Sequence, residues 1–140
     1  MTVLTDLNQI RATHGLPSLV VSAPLAATAS RHSRAMLADG YFSHGSAGGA
    51  TFRLRIVADD RAPLDGNALG ENLFWGLSPV TPAAAVRAWM ESPLHRANIL
   101  DPKWREIGIA AVTSTDAPGV FAHLGVTVIT VDFETGASEA

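Results

Sequence analysis

The sequence of 140 residues contains no cysteine. It can therefore form neither a disulfide nor a thiolate metal site, and a cysteine nucleophile is excluded. Charged residues are also scarce, at 16%, whereas hydrophobic residues make up 47%, a balance typical of globular chains and not of disordered ones. Because this length is close to the commonest size of one domain, we expect a single domain over residues 1–140.

Positive charge is sparse and scattered along the chain. Ten Lys and Arg residues against 13 Asp and Glu residues give a formal net charge of −3, and no basic run could neutralise several phosphates at once. Nucleic acid is therefore not an expected partner. No apolar stretch approaches the ~20 residues that span a bilayer, and the first residues lack the basic and apolar regions of a signal peptide. We expect no transmembrane segment and no signal peptide in this chain.

The first two thirds of the chain carry helix signals. Apolar residues recur at helical spacing, and several starts combine a capping Ser or Thr with a nearby proline. The predicted helices run from Thr2 to His14, from Ser22 to Gly40, from Thr51 to Ala58 and from Thr81 to Met90, and a short one starts at Ser92-Pro93. Between them, residues 60–67 are predicted to form a loop and Leu69–Leu73 an extended segment.

The last third changes to extended patterning. Ile107–Val112 and Val120–Phe133 are rich in β-branched residues, and Asp116–Gly119 joins them as a turn. Two neighbouring strands joined in this way most simply form an antiparallel hairpin. Helices followed by strands, without alternation of the two, predict an α+β sandwich of helices and a sheet.

Three residues stand out as candidates for chemistry: His44, Glu71 and His95. His44 precedes a glycine-rich stretch, which leaves it little shielded. Glu71 lies next to a glycine within an apolar extended stretch, where an unpaired carboxylate would be costly to bury. His95 lies in the first turn of a helix, whose dipole favours the neutral ring that binds metal or accepts a proton.

Each of these residues also has a structural interpretation. His44 could be a surface residue, His95 could bond a carbonyl to stabilise a tight turn, and Glu71 could form a salt bridge with Arg87 or Arg96. The sequence contains no His-Glu-x-x-His metal motif and no Gly-x-Ser-x-Gly elbow. Local sequence therefore leaves the structural and functional interpretations open.

The remaining polar candidates are predicted to have structural roles. His32 lies on the apolar face of its helix and is expected in the core, whereas His14 is expected to be exposed. Glu106 is expected to be paired at the entrance of a strand. His123 lies on a predicted strand, and its face cannot be assigned.

The ordered combination of four segments is more specific than any one of them and resembles the CAP superfamily. This superfamily groups cysteine-rich secretory proteins, antigen 5 and pathogenesis-related proteins with short bacterial relatives, and the absence of cysteine resembles the bacterial type. The likeness covers nearly the whole chain, and the Ser-Pro-x-His-Arg-x-Asn-Ile-Leu segment is its most distinctive part. The segments are Tyr41–His44, Gly70–Leu73, Trp89–Leu100 and Glu106–Ala110.

The resemblance implies an α-β-α sandwich with a three- or four-stranded antiparallel sheet between helices. It also implies a cleft in which two histidines and acidic residues bind a divalent metal, often zinc. Position by position, these residues are His44, Glu71 and His95. Several eukaryotic members have a second glutamate a few residues after the first histidine, but residues 45–50 contain no carboxylate. Two imidazoles and one carboxylate could still make a three-ligand zinc site with water, and the alternative is a cleft without metal that holds hydrogen-bonded water.

The preferred functional hypothesis is a binding module whose cleft takes a small molecule, lipid or peptide, with or without a divalent metal. The alternative is a hydrolase in which Glu71 acts as general base while His44 and His95 bind metal or polarise a carbonyl. A version with Ser43 or Ser46 as nucleophile and a non-catalytic interaction scaffold are further alternatives. The resemblance also implies a secreted or periplasmic bacterial protein, expected to be a monomer or weak dimer.

Overall fold

The computed structural model describes residues 2–46, 51–60 and 68–136. Five α-helices lie in these ranges: α1 (Val3–Thr13), α2 (Ala23–Asp39), α3 (Phe52–Asp60), α4 (Pro82–Met90) and α5 (Pro93–Ile99). The strands are β1 (Val20–Val21), β2 (Leu69–Leu77), β3 (Glu106–Ala117) and β4 (Leu124–Glu134), and a 3₁₀ turn covers Gly119–Phe121. None of the helices in the described residues combines the length and the hydropathy that a membrane span requires.

Four of the five predicted helix starts are confirmed by a side-chain cap, whereas α5 starts at Pro93, as predicted, without a capping hydrogen bond from Ser92. The hydroxyls of Thr2, Ser22 and Thr81 accept hydrogen bonds from backbone N–H groups of the first turns of α1, α2 and α4, which satisfies donors that have no partner within the helix. Thr51 does the same for α3 through the N–H of Leu54 at 3.3 Å. Helix α3 extends to Asp60, beyond the predicted end, and residues 61–67 of the predicted loop lie outside the described residues.

The four strands form one sheet in the order β1-β3-β4-β2. Strands β2, β4 and β3 are antiparallel, as predicted, but β1 pairs with β3 in parallel. The expectation of a purely antiparallel sheet was therefore wrong, and the sheet is mixed. After β1 the chain continues into α2, which packs on β3 and β4, and it returns to β3 only after α3, β2, α4 and α5. Such a long crossover connection permits parallel pairing.

Helices cover both faces of the sheet, which confirms the predicted α-β-α sandwich. On one face, α2 packs so closely on β3 that a Cβ at Gly108 would lie 2.2 Å from the backbone of Leu25. On the same face, Ser33 of α2 bonds Thr130 of β4 at 2.7 Å. The opposite face packs against α1, α4 and α5 through a core that includes Trp89, Ile107, Ile129 and Phe133.

The predicted strand Val120–Phe133 begins later than expected, at Leu124. Gly119–Phe121 forms the 3₁₀ turn, and Ala122 and His123 have left-handed φ angles of 55° and 61°. The turn is fixed from both sides, because Val120 donates its N–H to Gly40 at 3.0 Å and His123 donates to Ala117 at 2.7 Å. Tertiary contacts thus outweigh the β-branched composition here.

Candidate functional site

Glu71 lies on β2, the outermost strand on its side of the sheet. Its direct cross-strand neighbour is Asp132 of β4. Since Asp132 is two residues from Thr130, which contacts α2, Glu71 and Asp132 point to the same face, under α2 and α3. The side chain of Glu71 is 0% exposed, so its charge needs partners within the protein.

His44 is the first partner of Glu71. Its Nδ1 lies 2.9 Å from Oε1 of Glu71, and because a carboxylate only accepts, Nδ1–H is the donor. The preceding residue is fixed as well, since Nε2–H of His32 donates to the carbonyl of Ser43 at 2.7 Å. The ring of His44 is 51% exposed. Its Nε2 has no hydrogen-bond partner among the described residues and is available to a ligand.

Arg55 is the second partner, and sequence reasoning missed it. Its Nη2 donates to Oε2 of Glu71, and its side chain is only 7% exposed. The predicted partners Arg87 and Arg96 are both exposed and make no ion pair with Glu71. One signal could have found Arg55: it is one turn after Phe52 and therefore on the inward face of α3.

The electrostatics of the cluster fix the charge on Glu71. Burial raises the pKa of this carboxyl, but hydrogen bonds with Asp132 and His44 and the charge of Arg55 outweigh burial, so the pKa lies below its ordinary value. The lowered pKa keeps Glu71 ionised at neutral pH, so its pair with Arg55 is electrically neutral.

His95 reaches the same region from the other side of β2. Its Nδ1 is 2.7 Å from Oγ of Ser92, while its carbonyl accepts a bond from Nδ2 of Asn72 at 3.1 Å. Asn98 bonds both the carbonyl of Glu71 at 3.2 Å and the side chain of Asn72 at 3.0 Å. Helix α5 is thereby joined to the strand that carries Glu71.

The two predicted histidines also interact electrostatically. Burial lowers the pKa of His95, and the charge of His44 lowers it further. The ring of His95 is therefore neutral at neutral pH, as the position in the first turn of a helix predicts. The structure thus brings His44 and Glu71 into direct contact and places His95 within electrostatic range of His44.

The other candidate residues have structural environments. His32 is buried, as predicted. Its pKa is lowered mainly by burial and, to a smaller extent, by the charge of Arg55. His123 is exposed and pairs with Asp116 at 2.7 Å on the distant hairpin. The hydroxyl of Ser43 accepts the N–H of Gly45 at 3.2 Å, a local turn contact in place of a bond to an imidazole.

A separate cavity of about 700 Å³ lies at the opposite edge of the sheet. Its lining includes Val20, Lys103, Arg105 and Glu106 and none of the residues that contact Glu71. By its volume alone, this cavity would be a candidate binding site. The buried charge and the oriented imidazole lie at β2, so we assign the candidate site to the cluster of His44, Arg55, Glu71 and His95.

The donor set does not fit the three-ligand divalent metal site that the resemblance implies. Both oxygens of Glu71 are already bonded, to His44 and to Arg55, and the carboxylate is closed to solvent. Within the described ranges, no group of three His, Asp or Glu side chains is arranged to bind a metal ion. The metal role of these residues stays a prediction, and the geometry argues against it.

The chain belongs to the CAP family, described as the cysteine-rich secretory protein family, which it matches over residues 4–133. It is 33% identical over 107 residues to the uncharacterized protein YkwD of Bacillus subtilis and covers 40% of it. It is 32% identical over 107 residues to the uncharacterized membrane protein YlbC of the same organism and covers 30% of it. Each match spans 76% of this chain, which therefore spans less than half the length of these relatives.

Solved structures show the same fold. An outer surface protein of Borrelia burgdorferi superposes with a TM-score of 0.79 at 19% identity, over 96% of this chain and 90% of that one. An extracellular protein with an SCP domain from Bacillus anthracis superposes with a TM-score of 0.71 at 26% identity, over 94% of this chain and 38% of that one. The family resemblance inferred from the sequence motifs is confirmed.

Proposed function

We propose that this CAP domain is a binding module whose cleft, between His44 and His95, takes a small organic molecule, a lipid or a peptide. The observation that carries the proposal is the contrast in exposure between two bonded groups. The ring of His44 is half exposed, whereas the carboxylate that orients it is fully buried. Burying the charged carboxylate of Glu71 to orient the exposed ring of His44 costs desolvation energy. Buried charges that orient an exposed titratable group are typical of functional sites.

The names of similar proteins support a location outside the cytoplasm. One is an outer surface protein, one an extracellular protein and one a membrane protein. We propose that this domain also acts outside the cytoplasm. Fractionation of the source cells with an antibody against the domain tests this, and a signal confined to the cytoplasm would contradict it.

Binding can be tested with three probes: oleate, a tripeptide and a short-chain phospholipid. The imidazole signals of His44 and His95 in ¹H–¹³C NMR spectra report contact. We expect at least one probe to shift both signals saturably. Binding of that probe should weaken at least about tenfold in His44→Ala, as expected for a central contact.

The matched control is His123→Ala, because this exposed histidine also pairs with an acid but lies on the hairpin. It should leave binding unchanged. The proposal is contradicted if none of the probes shifts the two signals, or if His44→Ala and His123→Ala bind equally well. In that case a non-catalytic scaffold would explain the polar cluster better.

A hydrolase is the second candidate, with the base reassigned. Glu71 is closed to solvent with both oxygens bonded, which does not suit it to activate water. A carboxylate bonded to Nδ1 of a histidine is the arrangement that orients a general base, so His44 would act through its Nε2. Turnover of a p-nitrophenyl ester that is abolished in His44→Ala but unaffected in His123→Ala would support this function. Equal turnover in both variants would remove it.

A further inference from the structure

We propose that Arg55 determines whether the cluster of His44, Glu71 and His95 can bind a divalent metal. Its guanidinium is the permanent counter-cation of Glu71, and it excludes divalent metal from the cluster. This inference concerns the metal alone and stands whether or not an organic ligand binds between His44 and His95. It reverses what the family resemblance implies for this particular chain, and it rests on contacts made by one residue.

The first step concerns the oxygens of Glu71. Oε1 accepts from Nδ1 of His44 at 2.9 Å, and Oε2 accepts from Nη2 of Arg55. Both bonds involve the charged carboxylate and therefore belong to the strong class. A metal ion at Glu71 would have to break at least one of them.

The second step concerns the charge beside the carboxylate. A guanidinium does not lose its proton in proteins, so Arg55 would repel a divalent ion placed on Glu71. The repulsion is poorly screened, because the side chains of Arg55 and Glu71 are 7% and 0% exposed. A metal ion could not bind by displacing Arg55 from Glu71 either, because Nε and Nη1 of Arg55 already have no hydrogen-bond partner among the described residues. Without Glu71 it would be a buried cation without compensation.

The third step concerns the donors that remain. With Glu71 engaged, the cleft offers the Nε2 atoms of His44 and His95, because their Nδ1 atoms are bonded to Glu71 and Ser92. Open zinc sites use three protein ligands, and among the described residues no third His, Asp or Glu side chain joins these two imidazoles in a metal-binding arrangement. The same two atoms suit an organic ligand with a hydrogen-bonding group.

Calorimetric titration with zinc chloride tests the inference. The wild-type domain should give no saturable binding at one ion per chain. Arg55→Gln removes the counter-cation and frees Oε2, so zinc should bind at least about tenfold more tightly than to the wild type. The gain should disappear when His44→Ala is added. Arg53→Gln is the matched control, because it removes the same charge from the exposed face of α3, and it should behave like the wild type.

Two results would overturn the inference. One is saturable zinc binding by the wild type at one ion per chain that is lost in His44→Ala. The other is a folded Arg55→Gln variant that binds zinc no better than Arg53→Gln. If Arg55→Gln does not fold, Arg55→Lys keeps the positive charge and should refuse zinc as the wild type does, and the wild-type titration decides the question.

Discussion

Removing the charge of Glu71 should destabilise the domain severely. In Glu71→Gln, the amide preserves the volume but leaves the guanidinium of Arg55 buried without an anion. Breaking a buried pair at one partner typically costs about 3–5 kcal/mol. For a domain of this size, about 3 °C of melting temperature corresponds to each kcal/mol, so the loss should be about 9–15 °C.

A double-mutant cycle separates this pair from general damage to the core. Urea unfolding followed by circular dichroism gives the free energies of the wild type, Glu71→Gln, Arg55→Met and the double variant. The double variant should be more stable than the sum of the single losses predicts, with a coupling of at least about 2 kcal/mol. Coupling below about 0.5 kcal/mol would refute the assignment of Arg55 as the counter-cation.

The sign of the pH dependence provides a second readout of the same cycle. Because the pKa of Glu71 is lowered in the folded state, its ionisation stabilises the fold above the ordinary value of 4.5. This stabilisation is lost as the pH falls through the lowered folded value. The gap in stability between the wild type and Glu71→Gln should therefore be full at pH 7 and shrink below about pH 4.5. A gap that is constant from pH 7 to the acid-unfolding range would contradict an ionised Glu71.

Three further predictions concern individual contacts. Gly108→Ala should prevent stable folding, because its Cβ would lie 2.2 Å from the backbone of α2. Gly125→Ala, whose Cβ would have its nearest contact at 3.9 Å, should shift the midpoint of urea unfolding little, and equal shifts in the two variants would contradict the close packing. Arg11→Met should cost about 3 kcal/mol in urea unfolding, since the buried guanidinium bonds four backbone carbonyls that would lose their donors; a loss below about 1 kcal/mol would show that water replaces them. His95 should titrate in NMR below its ordinary pKa of 6.5 and move towards that value in His44→Ala, and an unchanged midpoint would place the two rings too far apart to interact.

Much of the fold could be predicted from the sequence because its signals are local. A capping hydroxyl such as Ser22 and a closing glycine such as Gly40 act within one turn of the helix, and both are confirmed. Strand β1 could not be found this way, since two valines carry no pattern. Its parallel pairing, and the late start of β4 at Leu124, depend on partners distant in sequence.

The sequence predicted which residues form the candidate site, but it did not predict Arg55 as the partner that neutralises Glu71. Motif order indicated that His44, Glu71 and His95 belong together, and the structure places His44 on Glu71. The choice of Arg55 over Arg87 or Arg96 depends on which face of α3 meets β2, a tertiary property. The position of Asp132 beside Glu71 depends on strand register, which local sequence leaves open.

The central claim is that Glu71 accepts Nδ1–H of His44 and leaves Nε2 for a ligand. The tautomer of His44, measured by long-range ¹H–¹⁵N NMR at a pH where the ring is neutral, tests it most directly. The wild type should carry its proton on Nδ1, and Glu71→Gln should weaken that preference because a neutral amide oxygen is a poorer acceptor. A wild-type ring protonated on Nε2, or one with the same tautomer mixture as Glu71→Gln, would contradict the account.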